Sequence, residues 1–379
     1  MKLAINAFNI QIGGGVTHLV ELLSAADPYR YGFTEVAIWS NEKTLALLPD
    51  RPWLKKISIK ALNKKLWHKL WWNFRYFSKE VKQYDISYVP GGTYLGRHSP
   101  FVNFFQNALP FEPKEKRRFL LTSPAYYIKL NLLRLTQGLT FKKATAVIFP
   151  SHYLESLVFQ NIRHTNCRFS RVIPHGINPI FFNKPMDENQ LLAHKKEIRL
   201  IYVSRVDFYK HQWHVVEAAG LLRKMNIPVQ LDLTGYVGSK KALKKLKHSM
   251  NRVDPTGEFI RYHGHLPYTD LPKWYKEIDI FIFASSCESI SSILLEAMAS
   301  GLAIACSNIS VTHEILKDAG IYFDPENPED IKNAVHQLIN DTKLRDSCRK
   351  KAYLHAQQYR WNHCADQTFS FLSDIAKLQ

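Results

Sequence analysis

Short apolar runs recur along the chain, most of them followed by a stretch in which apolar residues return at helical spacing. The first eight residues form such a run and lead into NIQIGGGVTHLVELLSAA, so a buried strand, a glycine turn and an amphipathic helix follow one another. Thr34–Ser40, Tyr84–Pro90, Pro100–Phe105 and Thr145–Ser151 read as further short strands. The stretch RVIPHGINPIFFNKP, Arg171–Pro185, interrupts the pattern with Pro, Gly and Asn and reads as an interdomain linker. The alternation then restarts, with IRLIYVSRV, VQLDLTGY, FIRYHGH, DIFIFAS, LAIAC and IYF as strands and helical patterns between them. After the last strand, NPED opens a helix with Asn at the N-cap and Pro at the first helical position. Two successive βα-rich halves predict an α/β chain of two Rossmann-like, doubly wound domains facing a cleft. Ligands of such sheets bind beyond the C-terminal ends of the strands.

Composition changes this picture in one respect. A chain of 379 residues, 46% hydrophobic and 22% charged, has room for two ordinary soluble cores. Its five cysteines are scattered and odd in number, which points to a reducing compartment, and MKLAINAFNI lacks the layout of a signal peptide. No window reaches the roughly 18 unbroken apolar residues of a spanning helix. A cytoplasmic protein is expected. The net charge of +18, however, attracts polyanions: nucleic acid, anionic lipid or a phosphorylated substrate. It concentrates in Leu54–Gln83, where Leu66, Trp67, Leu70, Trp71, Phe74, Phe77 and Val81 recur at helical spacing among Lys64, Lys65, Lys69, Arg75, Lys79 and Lys82. A second concentration, Pro113–Leu135, runs from a basic cluster into an aromatic and leucine-rich helix. Such helices fit an anionic membrane surface, and they equally fit a core helix beneath a solvated basic face. Zinc-finger spacing, an RRM-type aromatic motif and a basic low-complexity tail are all missing, so nucleic acid is not the expected partner.

Candidate chemistry lies mainly in the second half. CESISSILLEAMASG, Cys287–Gly301, reads as the end of a strand and a loop, then a helix from Ser292 or Ile293 that stops at Gly301. Its two acids, Glu288 in the loop and Glu296 on the helix, have no evident local role. Backbone amides at the helix start suit a phosphate, and Glu296 is placed for vicinal hydroxyls such as those of a ribose. A dipole-stabilised acid and an exposed helix glutamate would show the same spacing. In SRVDFYKH, Arg205 and Lys210 follow a strand directly, as a diphosphate leaving group needs, although a solvated loop looks alike. Gly13–Gly15 is not G-x-G-x-x-G, since His18 stands at the third glycine position. GGTYLGR lacks the P-loop ending and reads as a turn. There is no Asp-x-Asp pair and no His/Cys cluster, so no metal is expected.

Together these residues resemble retaining glycosyltransferases of family four, of the bacterial cell-surface polysaccharide type, which have the GT-B fold. YVSRVDFYKHQWHVVEAA, SSCESISSILLEAMASGLAIACSNISVTHEI and AGIYFDPENPEDI carry the resemblance, with IGGGVTHLVELL, FQNALPF, AVIFPSHYLESLV and VIPHGIN in the first half. It implies an acceptor-binding domain over 1–176, a nucleotide-sugar-binding domain over 177–355, and a C-terminal helix, 356–379, that returns to the first domain. It also implies that Arg205 and Lys210 hold the donor diphosphate and that Glu288 contacts the donor sugar. The amides around Ser291 and Ser292 would bind the distal phosphate, Glu296 the ribose, and Gly14 and Gly15 would let the N-terminal loop close over both substrates. The family often has a Phe-Gly-Leu-Pro-like run after its first glutamate, where this chain has Ile290–Ile293. Many members also place a histidine near the sugar, where this chain offers Asn107 or His98.

The implied activity is metal-independent, retaining transfer of a hexose from a UDP- or GDP-sugar, without a cofactor. The acceptor would be a glycan, lipid-linked, in polysaccharide or lipopolysaccharide synthesis on the cytosolic face of the inner membrane. Two other readings stay open. The glycine run with Glu42 after the second strand suits an NAD-dependent oxidoreductase, and a relative that binds glycan or membrane without catalysis would keep the same fold.

Overall fold

Thirteen parallel strands are found among the described residues, which in the computed structural model are 1–11, 13–59, 72–94, 96, 98–162, 167–185 and 195–378. They build two sheets. The first contains β1 (Lys2–Asn6), β2 (Glu35–Ser40), β3 (Leu54–Ser58), β4 (Ile86–Val89), β5 (Phe101–Phe104), β6 (Ala146–Phe149) and β7 (Phe169–Val172), in the order β3-β2-β1-β4-β5-β6-β7. The second contains β8 (Ile198–Val203), β9 (Val229–Thr234), β10 (Ile260–Tyr262), β11 (Ile280–Phe283), β12 (Ala303–Ser307) and β13 (Ile321–Phe323), in the order β10-β9-β8-β11-β12-β13. Each is a doubly wound sheet whose strand order reverses once, between β1 and β4 and between β8 and β11.

The chain divides into two compact units. One comprises Met1–Lys116, Pro124–Gly176 and Tyr359–Gln379, the other Arg117–Ser123 and Ile177–Gln358. Central strands such as β1, β4, β6 and β11 are buried on both faces, which is why they read as continuous apolar runs. The two strands that the pattern does not predict, β3 and β7, are the edges of the first sheet. Their residues LKKIS and FSRV are largely exposed or half-buried, and lysines on an edge strand discourage pairing with another chain. Leu54–Ser58 therefore belongs to the sheet, not to the basic helical stretch. At the described end of that stretch, of the two open readings, burial favours the core: Trp72, Phe77 and Val81 are buried, and Phe77 packs edge-on against Trp39 at 5.4 Å. These apolar groups serve the core. Leu66, Trp67, Leu70, Trp71, Lys64, Lys65 and Lys69 lie outside the described residues.

The first unit's core closes over helix Gly14–Ala25 and the final helix, Trp361–Lys377. His18 occupies the place of the third fingerprint glycine because it is a core residue here. It is 2% exposed, stacks on Phe104 at 4.4 Å and meets His175 at 4.7 Å. Burial pushes the His18 ring well below its usual pKa and brings that of His175 down to about 4, so both are neutral. A Cβ on Gly176 would come within 2.3 Å of the Trp361 backbone nitrogen, so the closing helix requires glycine there. Among the described residues no helix is long and apolar enough to cross a membrane.

Candidate functional site

In the second unit the candidate residues collect where the sheet order reverses. Arg205 and Lys210 follow β8, Glu288 follows β11, and these two strands are neighbours. In a doubly wound sheet the loops diverge at that point and leave a crevice for a ligand.

The turn after β8 is built to present its cations. Val206 bridges to Val237, and the Asp207 side chain caps the short helical turn Phe208–Lys210 by accepting from the Phe208 amide at 2.8 Å. Asp207 is buried and its other oxygen accepts from Arg205 Nη2 at 2.7 Å, which orients the guanidinium. Two glycines make room: a Cβ on Gly238 would lie 2.6 Å from Arg205 Nε, and one on Gly235 (φ 143°) would lie 1.9 Å from the Ser204 carbonyl oxygen. The Tyr236 ring stands 5.5 Å from the guanidinium carbon. His211 then turns the chain into helix Gln212–Lys224 at φ 49°. Its ring is bonded to Ser286 Oγ at 2.8 Å, and the Ser286 amide donates to the Tyr209 carbonyl at 2.9 Å. The loops after β8 and β11 are thereby laced together. Burial, with Arg118 and His214 adding to it, lowers the His211 pKa to about 3, so this link is a neutral one.

That lacing sets Lys210 Nζ against Glu288 Oε1 in an ion pair whose side chains are only 10% and 14% exposed. Burial pushes the nearby Tyr209 hydroxyl well above its usual pKa, and Arg205 acts on it from one side while Asp207 and Glu288 act from the other. Arg205, Asp207 and Glu288 are thus all within electrostatic reach of that hydroxyl.

The helix after β11 runs Ser292–Ala299 and ends as Gly301 takes φ 67°. Ser291 is its N-cap, at an ordinary φ of −112°, and its Oγ accepts from the Leu294 amide at 3.3 Å. A serine is thus well accommodated at this place, and it leaves the amides at the first two helical positions, Ser292 and Ile293, directed out of the helix. Glu296 is 4% exposed and accepts from the Tyr268 hydroxyl at 3.1 Å. Burial, reinforced by Glu296 and Tyr268, holds the neighbouring Tyr275 hydroxyl well above its usual pKa. Both glutamates, which have no evident role in the sequence, have defined partners in the structure. Asp207, His211, Gly238 and Tyr268 escape sequence reading, since only folding brings them to the residues they hold; the i, i+2 spacing of Arg205 and Asp207 is the one local signal.

The first unit has its own pocket, of about 400 Å³, again at the reversal point. Asn9 and Gly15 come from the segment after β1, Gly91 from the one after β4, and Gln106 and Asn107 from the one after β5. Gly91 is more than part of a turn: Asn9 Nδ2 donates to its carbonyl at 2.8 Å, and a Cβ there would strike Asn9 Oδ1 at 1.8 Å. Gly15 faces Gln106 Nε2, 3.3 Å from where a Cβ would be, while Gly14 has open space around it. Gly13, at φ 69°, is the residue whose backbone needs glycine. His98 does not line this pocket; it is half-buried, with Nδ1 bonded to Ser87 Oγ at 2.9 Å. Helix Pro124–Lys143 adds Leu133 and Gln137, the latter buried with Oε1 making no hydrogen bond. No charged side chain lines the pocket among the described residues.

Three comparisons place these observations among known proteins. The O-antigen chain mannosyltransferase B of Escherichia coli is 32% identical over 173 residues, 45% of this chain and 44% of that protein. The chain spans about half the length of the curated relatives it matches. Among solved structures, the sucrose-phosphate synthase of Thermosynechococcus elongatus superposes with a TM-score of 0.76 at 16% identity, covering 100% of both chains. Anabaena HepE in complex with UDP-glucose gives 0.71 at 16% identity, covering 99% of this chain and 100% of that one. The fold is accordingly GT-B. The family model of glycosyl transferases group 1 matches residues 183–355, the stretch that builds β8–β13 and carries Arg205, Asp207, Lys210, Glu288 and Glu296.

Proposed function

We propose that this protein is a retaining, metal-independent glycosyltransferase that moves a hexose from a UDP- or GDP-sugar to a lipid-linked glycan in cell-surface polysaccharide or lipopolysaccharide synthesis. The observation that carries the reading is the Lys210–Glu288 pair beside Arg205 and Asp207, at the reversal point of a nucleotide-binding type of sheet. As the bond between the anomeric carbon and the diphosphate breaks, negative charge grows on the leaving oxygens. Arg205 and Lys210 supply two fixed cations for it, and the Ser292 helix adds amides and a dipole end. Glu288 then serves the donor sugar and Glu296, held by Tyr268, accepts from the ribose hydroxyls. The pocket of Asn107, Gly15, Gln106 and Gln137 receives the acceptor. Amides without charges suit an uncharged saccharide, since a phosphate or carboxylate there would lack a cation.

The names of the relatives agree in class: one acts on O-antigen chains and one neighbour was solved with UDP-glucose. The test is a thermal-shift screen of UDP-, GDP- and dTDP-sugars followed by transfer assays on glycan acceptors. One donor family should stabilise the protein, and Glu288→Ala should reduce turnover with that donor by about 10²-fold or more. Full activity of Glu288→Ala and Lys210→Ala on a cognate pair would overturn the assignment.

A further inference from the structure

Among the described residues, helix Pro124–Lys143 is packed on one side and presents an exposed apolar stripe on another. Leu130, Gln137, Thr140 and Phe141 are buried, whereas Ile128, Leu132, Leu135 and Leu139 are 59%, 57%, 65% and 53% exposed. Their spacing of four, three and four residues aligns them in a single stripe. At 3.6 residues per turn, Lys142 falls on one flank of that stripe and Lys143 and Lys129 on the other; all three are exposed. The helix contains four cations, counting Arg134, and no Asp or Glu.

We infer that this stripe is a docking surface for an anionic lipid bilayer, into which the four aliphatic side chains insert while the lysines reach the headgroups. Charge complementarity selects this occupant. A second copy of the chain docking through the same face would oppose one acid-free basic helix to another, whereas anionic headgroups neutralise the lysines and accept their apolar stems. The inference rests on the proposed lipid-linked acceptor and sharpens it. The other side of the same helix contributes Leu133 and Gln137 to the uncharged pocket, so docking would bring that pocket within about one helix diameter, roughly 10 Å, of the lipid.

Flotation of the full chain with vesicles tests this, without donor or acceptor. Vesicles of phosphatidylcholine alone are compared with vesicles containing about 30% phosphatidylglycerol, at low salt and at about 0.5 M salt. The protein should float with the anionic vesicles and retain part of that binding at high salt. Leu132→Ser/Leu135→Ser should lose at least about tenfold in partitioning in both salts. Lys129→Ser/Lys142→Ser/Lys143→Ser should lose the preference for anionic lipid. Melting temperature and the donor-induced shift report that each variant is folded, and both should match the parent. Flotation of the leucine variant at parental strength would overturn the inference. So would failure of the parent to float, including the case in which light scattering shows a dimer that the leucine substitutions abolish. Failure of the glycosyl-transfer reading is separable: a protein that floats as described yet binds no sugar nucleotide refutes that reading and leaves the lipid surface standing.

Discussion

Removing one member of the Lys210–Glu288 pair should cost stability and function together, while removing both should separate them. The two side chains are about nine-tenths buried and in hydrogen-bonding contact. At an effective dielectric of about 20 their attraction is of the order of 5 kcal/mol, and breaking a buried pair from one side costs about 3–5 kcal/mol because the remaining charge has no compensation. Lys210→Met should therefore lower the stability of the second unit by about that amount. Lys210→Met/Glu288→Met, which leaves no orphaned charge beside Phe283 and Tyr209, should recover most of the loss. Turnover should stay at least about 10²-fold down in both variants, since both lack the Lys210 ammonium that would share the diphosphate's charge with Arg205. Urea unfolding followed by tryptophan fluorescence measures the first quantity, and initial rates at saturating donor measure the second. A single variant as stable as the parent would show that the pair is not buried as described. A double variant with parental turnover would remove Lys210 and Glu288 from the chemistry altogether.

Three further outcomes follow from named contacts. Gly238→Ala places a methyl 2.6 Å from Arg205 Nε, so the guanidinium must leave Asp207, and calorimetry should show nucleoside diphosphate affinity falling about tenfold; unchanged affinity would exclude Arg205 from the donor site. Tyr268→Phe removes a hydrogen bond to a buried carboxylate and should raise KM for the donor about tenfold with kcat nearly unchanged, whereas a matching fall in kcat would place Glu296 at the reacting centre. Acid should weaken the first unit through His175. An unfolded histidine takes up a proton near pH 6.5 and the buried ring only near 4, so this contribution is complete above about 6.5 and is lost as pH falls towards 4, by about 3 kcal/mol. His18 acts in the same direction, and His175→Gln should flatten the slope of stability against pH over that interval, as urea unfolding at stepped pH would record.

The alternation of apolar runs with helical patterns was sufficient to read two Rossmann-like α/β halves, because strands buried on both faces leave continuous apolar runs in the chain. The edges β3 and β7 were not legible, since an edge strand is half solvated and mixes lysine, arginine and serine into its run. Residue type and order along single loops likewise brought out Arg205, Lys210, Glu288 and Glu296, each lying just after a strand or within the following helix. Their partners were not legible, because Lys210 meets Glu288, Glu296 meets Tyr268 and Arg205 meets Gly238 across sequence gaps that only the sheet order closes. The two basic aromatic stretches show the same division. Both have the composition of a membrane helix, and nothing local separates a side chain facing the core from one facing solvent. Packing decided it: Phe77 turned inward against Trp39 and Trp72 against Phe77, while Ile128, Leu132, Leu135 and Leu139 stayed outside on a helix whose opposite side was already filled.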